Sequence, residues 1–238
     1  IPYLDLSSFN TKKLKSLFLT FAYANIDNLT GFDNWDLTNL FVLKGAFTWF
    51  SSNGMLDLSG WKLDTSKLLI STADVHPKIQ YLDVFYGISI VDFTSTNNVF
   101  QYIHVNSLDL SNWKISIPKD PSSNSNSVLT SNNMDVQNLI VKNAIIKNTS
   151  VTTYSSNVKN FDFTNSILDS VEYGNMSNTI SFNLTNAKIK GSVSDFYTSL
   201  NNKATFNNTD FSGVDSLKYF AYNSHIFNVL FPSTTPVT

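Results

Sequence analysis

The sequence predicts a mostly β, right-handed repeat solenoid. Leucine-rich-repeat-like units with a period of 26 pass into β-helix-like coils with a period of 21–22. The first observation is one stretch written repeatedly: Leu4-Asp5-Leu6-Ser7-Ser8-Phe9, Leu56-Asp57-Leu58-Ser59-Gly60-Trp61 and Leu108-Asp109-Leu110-Ser111-Asn112-Trp113. A weaker copy is Leu82-Asp83-Val84, and a half-copy is Phe32-Asp33-Asn34-Trp35. Taking the second apolar residue of each as marker gives Leu6, Phe32, Leu58, Val84 and Leu110, at a constant step of 26. The second observation is a shorter series, apolar-x-apolar-polar-Asn, with markers Val141, Phe163, Leu184 and Phe206 at steps of 22, 21 and 22. A fixed period of this size means stacked supersecondary units, none of which buries its apolar face alone. The third is the step of 31 from Leu110 to Val141, which contains Pro118-Lys119-Asp120-Pro121 and a Ser/Asn run. Proline cannot donate to a ladder, so this stretch reads as a loop bulging from the coil.

In the first unit a strand near Tyr3–Ser7 turns Leu4 and Leu6 one way and Tyr3, Asp5 and Ser7 the other, because strand side chains alternate. Lys12 to Tyr23 then places Leu14, Leu17, Phe18 and Phe21 at helical spacing, and the next unit repeats this with Leu40, Leu43 and Phe47. A short returning helix is therefore expected in these units. The signal fades at Leu68-Leu69-Ile70, and Ile88 to Phe93 reads as extended. In the second half, Val151, Val171, Val193 and Val214 open a further apolar segment in each unit, so two or more short strands per unit are expected. The whole is read as one solenoid domain over residues 1–229. It comprises units of period 26 to position 117, a loop insertion at 118–127, and units of period about 22 over 128–229. The Pro/Ser/Thr stretch 230–238 reads as a linker to a following domain.

Two columns follow each strand. Asn34, Gly60, Asn112, Asn143, Asn165, Asn186 and Asn208 occupy one, and these residue types best tolerate left-handed backbone. Stacked side-chain amides also hydrogen-bond from unit to unit. Phe9, Trp35, Trp61 and Trp113 occupy the next, and an aromatic stripe in a repeat protein fills a corner of the core.

Composition narrows the function. Hydrophobic residues at 42% fill a core, and a net charge of −2 gives no electrostatic footprint for nucleic acid or anionic lipid. Cysteine is absent, which excludes disulfides, thiolate metal sites and a cysteine nucleophile. No Gly-x-Ser-x-Gly and no Gly-rich phosphate loop occurs, and no two of His76, His104 and His225 have metal spacing. No cofactor is expected.

These units resemble the leucine-rich repeat, likewise of period 26, of BspA-like bacterial surface proteins. The likeness rests on the Leu-Asp-Leu-Ser-x-Trp copies at 56–61 and 108–113 and on Asp33-Asn34-Trp35-Asp36-Leu37-Thr38-Asn39. It covers about the first half of the chain. The resemblance implies an extracellular, wall-anchored adhesin of lactobacilli and related bacteria. Its partners would be a host or bacterial surface glycan or glycoprotein, or an extracellular matrix protein. It implies no catalytic residues and no membrane insertion by this segment. A β-helix polysaccharide lyase or hydrolase, and a structural spacer, are the competing readings.

The candidate ligand-binding residues lie on the outward strand face. Asp57, Asp83 and Asp109 recur at one position, with Asp5 and Asp162 further along the column; they are flanked by Tyr81 and Phe85, with Met55 and Tyr3 exposed by the same alternation. Carboxylates about 5 Å apart repel by about 3 kcal/mol at an effective dielectric of 20, so such a column needs turn amides, hydroxyls or a cation to compensate it. Aromatics beside carboxylates suit sugar or protein recognition. A repeat-imposed face whose aspartates bond only their own turns accounts for the same residues.

Overall fold

The computed structural model describes residues 1–43, 45–65, 98–116, 133–151, 157–172, 178–194 and 203–218. Within them the chain is mostly β, and every strand pairing is parallel. The strands are β1 (Leu4–Asp5), β2 (Leu29–Thr30), β3 (Ser51–Asp57), β4 (His104–Asp109), β5 (Lys114–Ser116), β6 (Asp135–Ile140) and β7 (Ile145–Ser150). They continue with β8 (Asn157–Asp162), β9 (Ile167–Glu172), β10 (Ser181–Asn183), β11 (Lys188–Ser194), β12 (Lys203–Thr205) and β13 (Asp210–Lys218). β1 pairs with β2 alone; β3, β4, β6, β8, β10 and β12 lie side by side in one sheet; β5, β7, β9, β11 and β13 form another. From β4 onward, successive strands alternate between the two larger sheets, so each repeat contributes two strands, as the second-half valines suggest. Among the described residues no helix is long and apolar enough to cross a membrane.

The registers reproduce the sequence periods. Leu108 pairs with Leu139, Leu139 with Phe161, Phe161 with Phe182 and Phe182 with Ala204, steps of 31, 22, 21 and 22. The described markers Leu6, Phe32, Leu58, Leu110, Val141, Phe163, Leu184 and Phe206 are all buried in one continuous apolar cluster. Their burial is what fixes the register, since a slip of one residue would turn every strand inside out.

The constant step of 26 would place each copy beside the next, in chain order and in one sheet, and the structure departs from this at two places. β3 pairs directly with β4, Asp57 opposite Asp109, and the Leu58 amide donates to the Asp109 carbonyl at 2.9 Å. That step, from position 57 to position 109, spans two sequence periods. The copy at 82–84, with its marker Val84, lies outside the described residues, as do the loop insertion 118–127, the Leu68–Phe93 readings and the linker 230–238. Leu6 and Phe32 follow the separate β1–β2 sheet. The half-copy there lacks the leading Leu-Asp alternation, and Gly31 adopts φ +89 immediately after β2. A Cβ on Gly31 would sit too close to the Ser7 amide nitrogen, so the two backbones meet more closely than any side chain allows.

The helix expected over Lys12–Tyr23 does not form, nor does its counterpart in the next unit. Leu19 and Tyr23 have φ of +53 and +59, and Gly45 and Trp49 have +64 and +58, left-handed values that end any right-handed helix. The amides alternate between tight turns and the neighbouring unit. Thr20 N donates to Leu17 O and Ala22 N to Leu19 O, while Leu17 N, Phe21 N and Tyr23 N donate to the carbonyls of Val42, Ala46 and Thr48. Successive tight turns bury Leu17 and Phe21, and their separation in sequence is the one a helix shows.

Both columns are found, the first only from Asn112 onward: Asn34 and Gly60 are not left-handed, and after the tight turn Ser59–Trp61 it is Lys62, at φ +47, that is. Asn112, Asn143, Asn165, Asn186 and Asn208 are left-handed, and Asn165, Asn186 and Asn208 each donate a side-chain amide to the Asn one unit earlier at 3.1, 3.1 and 3.2 Å. Trp35, Trp61 and Trp113 are buried and stack in sequence at 5.9 and 6.1 Å, both with interplanar angles of 10°. Trp35 and Trp113 donate their indole N–H to Leu6 O and Leu58 O, whereas the buried Trp61 indole N–H has no partner among the described residues. Phe9, at the head of this column, is exposed and packs on Trp35 at 6.5 Å.

Candidate functional site

Asp57 and Asp109 stand opposite one another in β3 and β4, and Asp57, Met55 and Tyr3 are exposed as alternation requires. Tyr81, Asp83 and Phe85 lie outside the described residues. Each described aspartate of the column accepts the amide two residues on: Ser7 N to Asp5 (2.9 Å), Ser59 N to Asp57 (2.9 Å), Ser111 N to Asp109 (2.8 Å) and Thr164 N to Asp162 (3.1 Å). This side-chain turn ends the strand and aims the chain into the corner. In the next unit Asn183 makes the same bond, from Thr185 N at 3.0 Å, so the turn needs an oxygen acceptor and not a charge. The turn amides thus supply the compensation the column requires. Asp162 has a further partner in Lys142 Nζ at 3.0 Å.

The start of the same sheet carries a second set of polar groups. Ser51, His104, Asp135 and Asn157 are aligned across β3, β4, β6 and β8, and Asn25 joins the row through an isolated bridge to Ser51. His104 Nδ1 lies 2.6 Å from Asp135 Oδ2, and Asn157 Nδ2 donates to Asp135 Oδ1 at 2.8 Å. The carboxylate thereby fixes the imidazole tautomer with hydrogen on Nδ1, and leaves Nε2 on a side chain that is 64% exposed. A parallel row runs Ser107, Asn138, Asn160, Ser181, joined by bonds of 3.1, 2.9 and 2.7 Å. The face is a lattice of hydroxyl, amide, imidazole and carboxylate groups at strand spacing.

Just before this row stands a group that the sequence reading missed. Tyr23, Trp49 and Tyr102 occupy equivalent positions of three stacked units. Trp49 is parallel to both neighbours, 6.1 Å from Tyr23 and 4.2 Å from Tyr102. Tyr23 and Trp49 are 42% and 43% exposed. All three are left-handed, with φ of +59, +58 and +57. Left-handed backbone costs a bulky residue about 1 kcal/mol, and part of that is returned by ring stacking. Burial raises the phenol pKa of Tyr23 above its ordinary value. Behind the strip, Phe21, Phe47 and Phe100 stack in the core at 5.1 and 5.8 Å. The available signal was the repeated Phe-x-(Tyr/Trp): Phe21-Ala22-Tyr23, Phe47-Thr48-Trp49 and Phe100-Gln101-Tyr102. Its spacing of 26 and then 53 follows the register of β3 on β4 instead of a constant period.

No group of three or more His, Cys, Asp or Glu side chains suited to a metal ion occurs among the described residues. No family model matches the chain, and neither a curated protein nor a solved structure matches it.

Proposed function

We propose that this chain is a right-handed solenoid adhesion domain of a bacterial cell-surface protein, related to the BspA-like repeat proteins and held at the cell wall by regions beyond it. Its ligand is a host or neighbouring-cell glycan or protein, met on the outward face of the six-stranded sheet. One observation carries the reading: that face is an in-register array of half-exposed hydrogen-bonding groups running through successive strands. Such an array suits an extended ligand better than a small molecule, which binds in a concave pocket. The leucine-rich units, in turn, support the relation to surface proteins.

A polysaccharide hydrolase is the second reading, and the His104–Asp135 pair favours it. The imidazole is oriented by a carboxylate, as a general base is, and Ser51 stands next to it in register, although no hydrogen bond joins the Ser51 hydroxyl to the ring. A panel of glycans and matrix proteins distinguishes the two. Retention of a ligand without turnover supports adhesion. New reducing ends or released acyl groups, lost in His104→Ala, would replace it with the enzyme, and the absence of both would leave a spacer.

A further inference from the structure

We propose that Tyr23, Trp49 and Tyr102, with the adjoining row Asn25, Ser51, His104 and Asp135, form a binding strip for an uncharged, extended β-linked polysaccharide chain laid along the stacking direction. The proposal rests on the adhesion reading and names the ligand class, at residues separate from the Asp57–Asp109 column.

The backbone does not require aromatic residues at this corner. Most left-handed positions elsewhere are filled by Asn, among them Asn112, Asn143, Asn165, Asn186 and Asn208, the side chain that tolerates that conformation best after glycine; Leu19, Lys62 and Ser170 are single exceptions that do not repeat from unit to unit. Counting back two residues from the His104–Asp135 pairing places Asn133, also left-handed at φ +57, as the successor of Tyr102. The aromatic strip therefore occupies three units and gives way to the ordinary residue in the fourth. Core packing does not require it either, because Phe21, Phe47 and Phe100 already form the buried stack behind it. Two large aromatics more than two-fifths exposed, in a strained conformation repeated three times, are a feature that folding alone disfavours; strain of this kind gathers at ligand-binding positions.

The occupant follows from the chemistry beside the strip. The neighbouring row offers amide, hydroxyl and imidazole groups around a single carboxylate, which is tied to His104 and Asn157, so it presents paired donors and acceptors and no lysine. That selects a ligand rich in hydroxyls over an ionic one. Both the strip and the row repeat at the spacing of parallel strands, about 4.8 Å. A ligand meeting the same kinds of group in consecutive units is itself a periodic polymer, and the repeat of an extended β-linked pyranose chain is of that order. The rings lie face to face along the stacking direction, so the chain runs across their exposed edges, its C–H groups against the ring margins while its hydroxyls reach the polar row.

Trp49 is also the one exposed tryptophan of the four, so its fluorescence reports the strip directly. The test titrates the whole chain with cellohexaose and chitohexaose, following tryptophan emission and acrylamide quenching. At least one hexasaccharide should shield Trp49, and the matching trisaccharide should bind more weakly. Trp49→Asn, which keeps a residue suited to the left-handed backbone, should bind about tenfold more weakly at an unchanged melting temperature. Trp49→Asn/Tyr102→Asn should lose binding, whereas Asn165→Gly, in the amide ladder of the other half, should keep it. Equal binding by Trp49→Asn, no dependence on chain length, or no binding of either hexasaccharide would overturn the proposal. If the chain instead retains a matrix protein, the glycan assignment falls while the adhesion reading stands; if it retains nothing, both fall.

Discussion

The two halves of the chain stack their strands in the same parallel fashion but build their corners from opposite materials. Up to Ser116 the corners are aromatic: Trp35, Trp61 and Trp113 inside, and Tyr23, Trp49 and Tyr102 outside. From Asn133 onward they are polar, with the Asn143–Asn208 amide ladder and the buried hydroxyls of Ser166 and Thr209 bonding Val141 O and Leu184 O. At this corner the longer units hold an indole, whereas the shorter ones place small groups that satisfy the backbone and bury their rings, Phe161, Phe163, Phe182 and Phe206, elsewhere in the core. Register is common to both, and corner chemistry follows unit length. A corner whose residue exceeds what the backbone needs is then a place to look for a ligand.

The largest effects should come from what the halves share. Leu110→Ala and Leu184→Ala each remove a fully buried side chain and should cost roughly 2–5 kcal/mol in urea unfolding. Trp113→Ala should fall at the upper end of that range, since it also frees the Leu58 carbonyl. Similar losses in both halves would support one continuous core. A large loss in one half only would mean that the halves unfold separately.

The corners should then differ. Asn165→Ala forces a left-handed alanine and removes both the bond to Asn143 and the one from Asn186, for about 1–2 kcal/mol. Asn165→Gly should recover the backbone part and leave the amide part. Trp49→Asn in the other corner should lie within about 0.5 kcal/mol of the parent, as relief of strain offsets lost stacking. A Trp49→Asn variant as damaged as Asn165→Ala would make the aromatic strip structural and erase the contrast.

How far the sequence reveals this can be judged from particular residues. The markers Leu110 to Phe206 were legible because strand alternation and a fixed period leave no freedom in which face is buried. The Asn column was legible because so few side chains suit left-handed backbone. The turn segment 12–23 was not, because buried residues three and four apart arise from successive tight turns as well as from a helix. Tyr23 and Trp49 escaped notice because left-handed aromatics break the preference on which the Asn column was recognised. That Asp57 and Asp109 share one column was legible, but their direct pairing across two sequence periods was not, and their role in the turns depends on Ser59 and Ser111 amides that only coordinates reveal.

A smaller effect concerns one turn. Asp36 accepts both the hydroxyl and the amide of Thr38, and these bonds hold its carboxyl below its ordinary pKa. A depressed folded-state pKa contributes stability that is present above the ordinary carboxylate value and is lost as pH falls through the depressed one. Thr38→Val should raise the Asp36 pKa toward the ordinary range in an NMR titration. It should also weaken the dependence of stability on pH on the acid side, where Asp210, held down chiefly by Ser212, continues to act. An unmoved Asp36 titration would show that the hydroxyl bond does not set it.

The direct seating of β3 on β4 underlies the register of the whole sheet, the step of 53 between Trp49 and Tyr102, and hence the strip itself. The chain has no cysteine, so disulfide trapping reads it without interference. Residues directly opposite in adjacent strands lie within the Cα separation a disulfide spans, roughly 4.4–6.8 Å. Asp57→Cys/Asp109→Cys should form an intramolecular disulfide on mild oxidation, visible as a mobility shift reversed by reductant. Rapid closure of Asp57→Cys/Asp83→Cys, with the 57–109 pair remaining reduced, would contradict the account and restore a stack of one sequence period per strand.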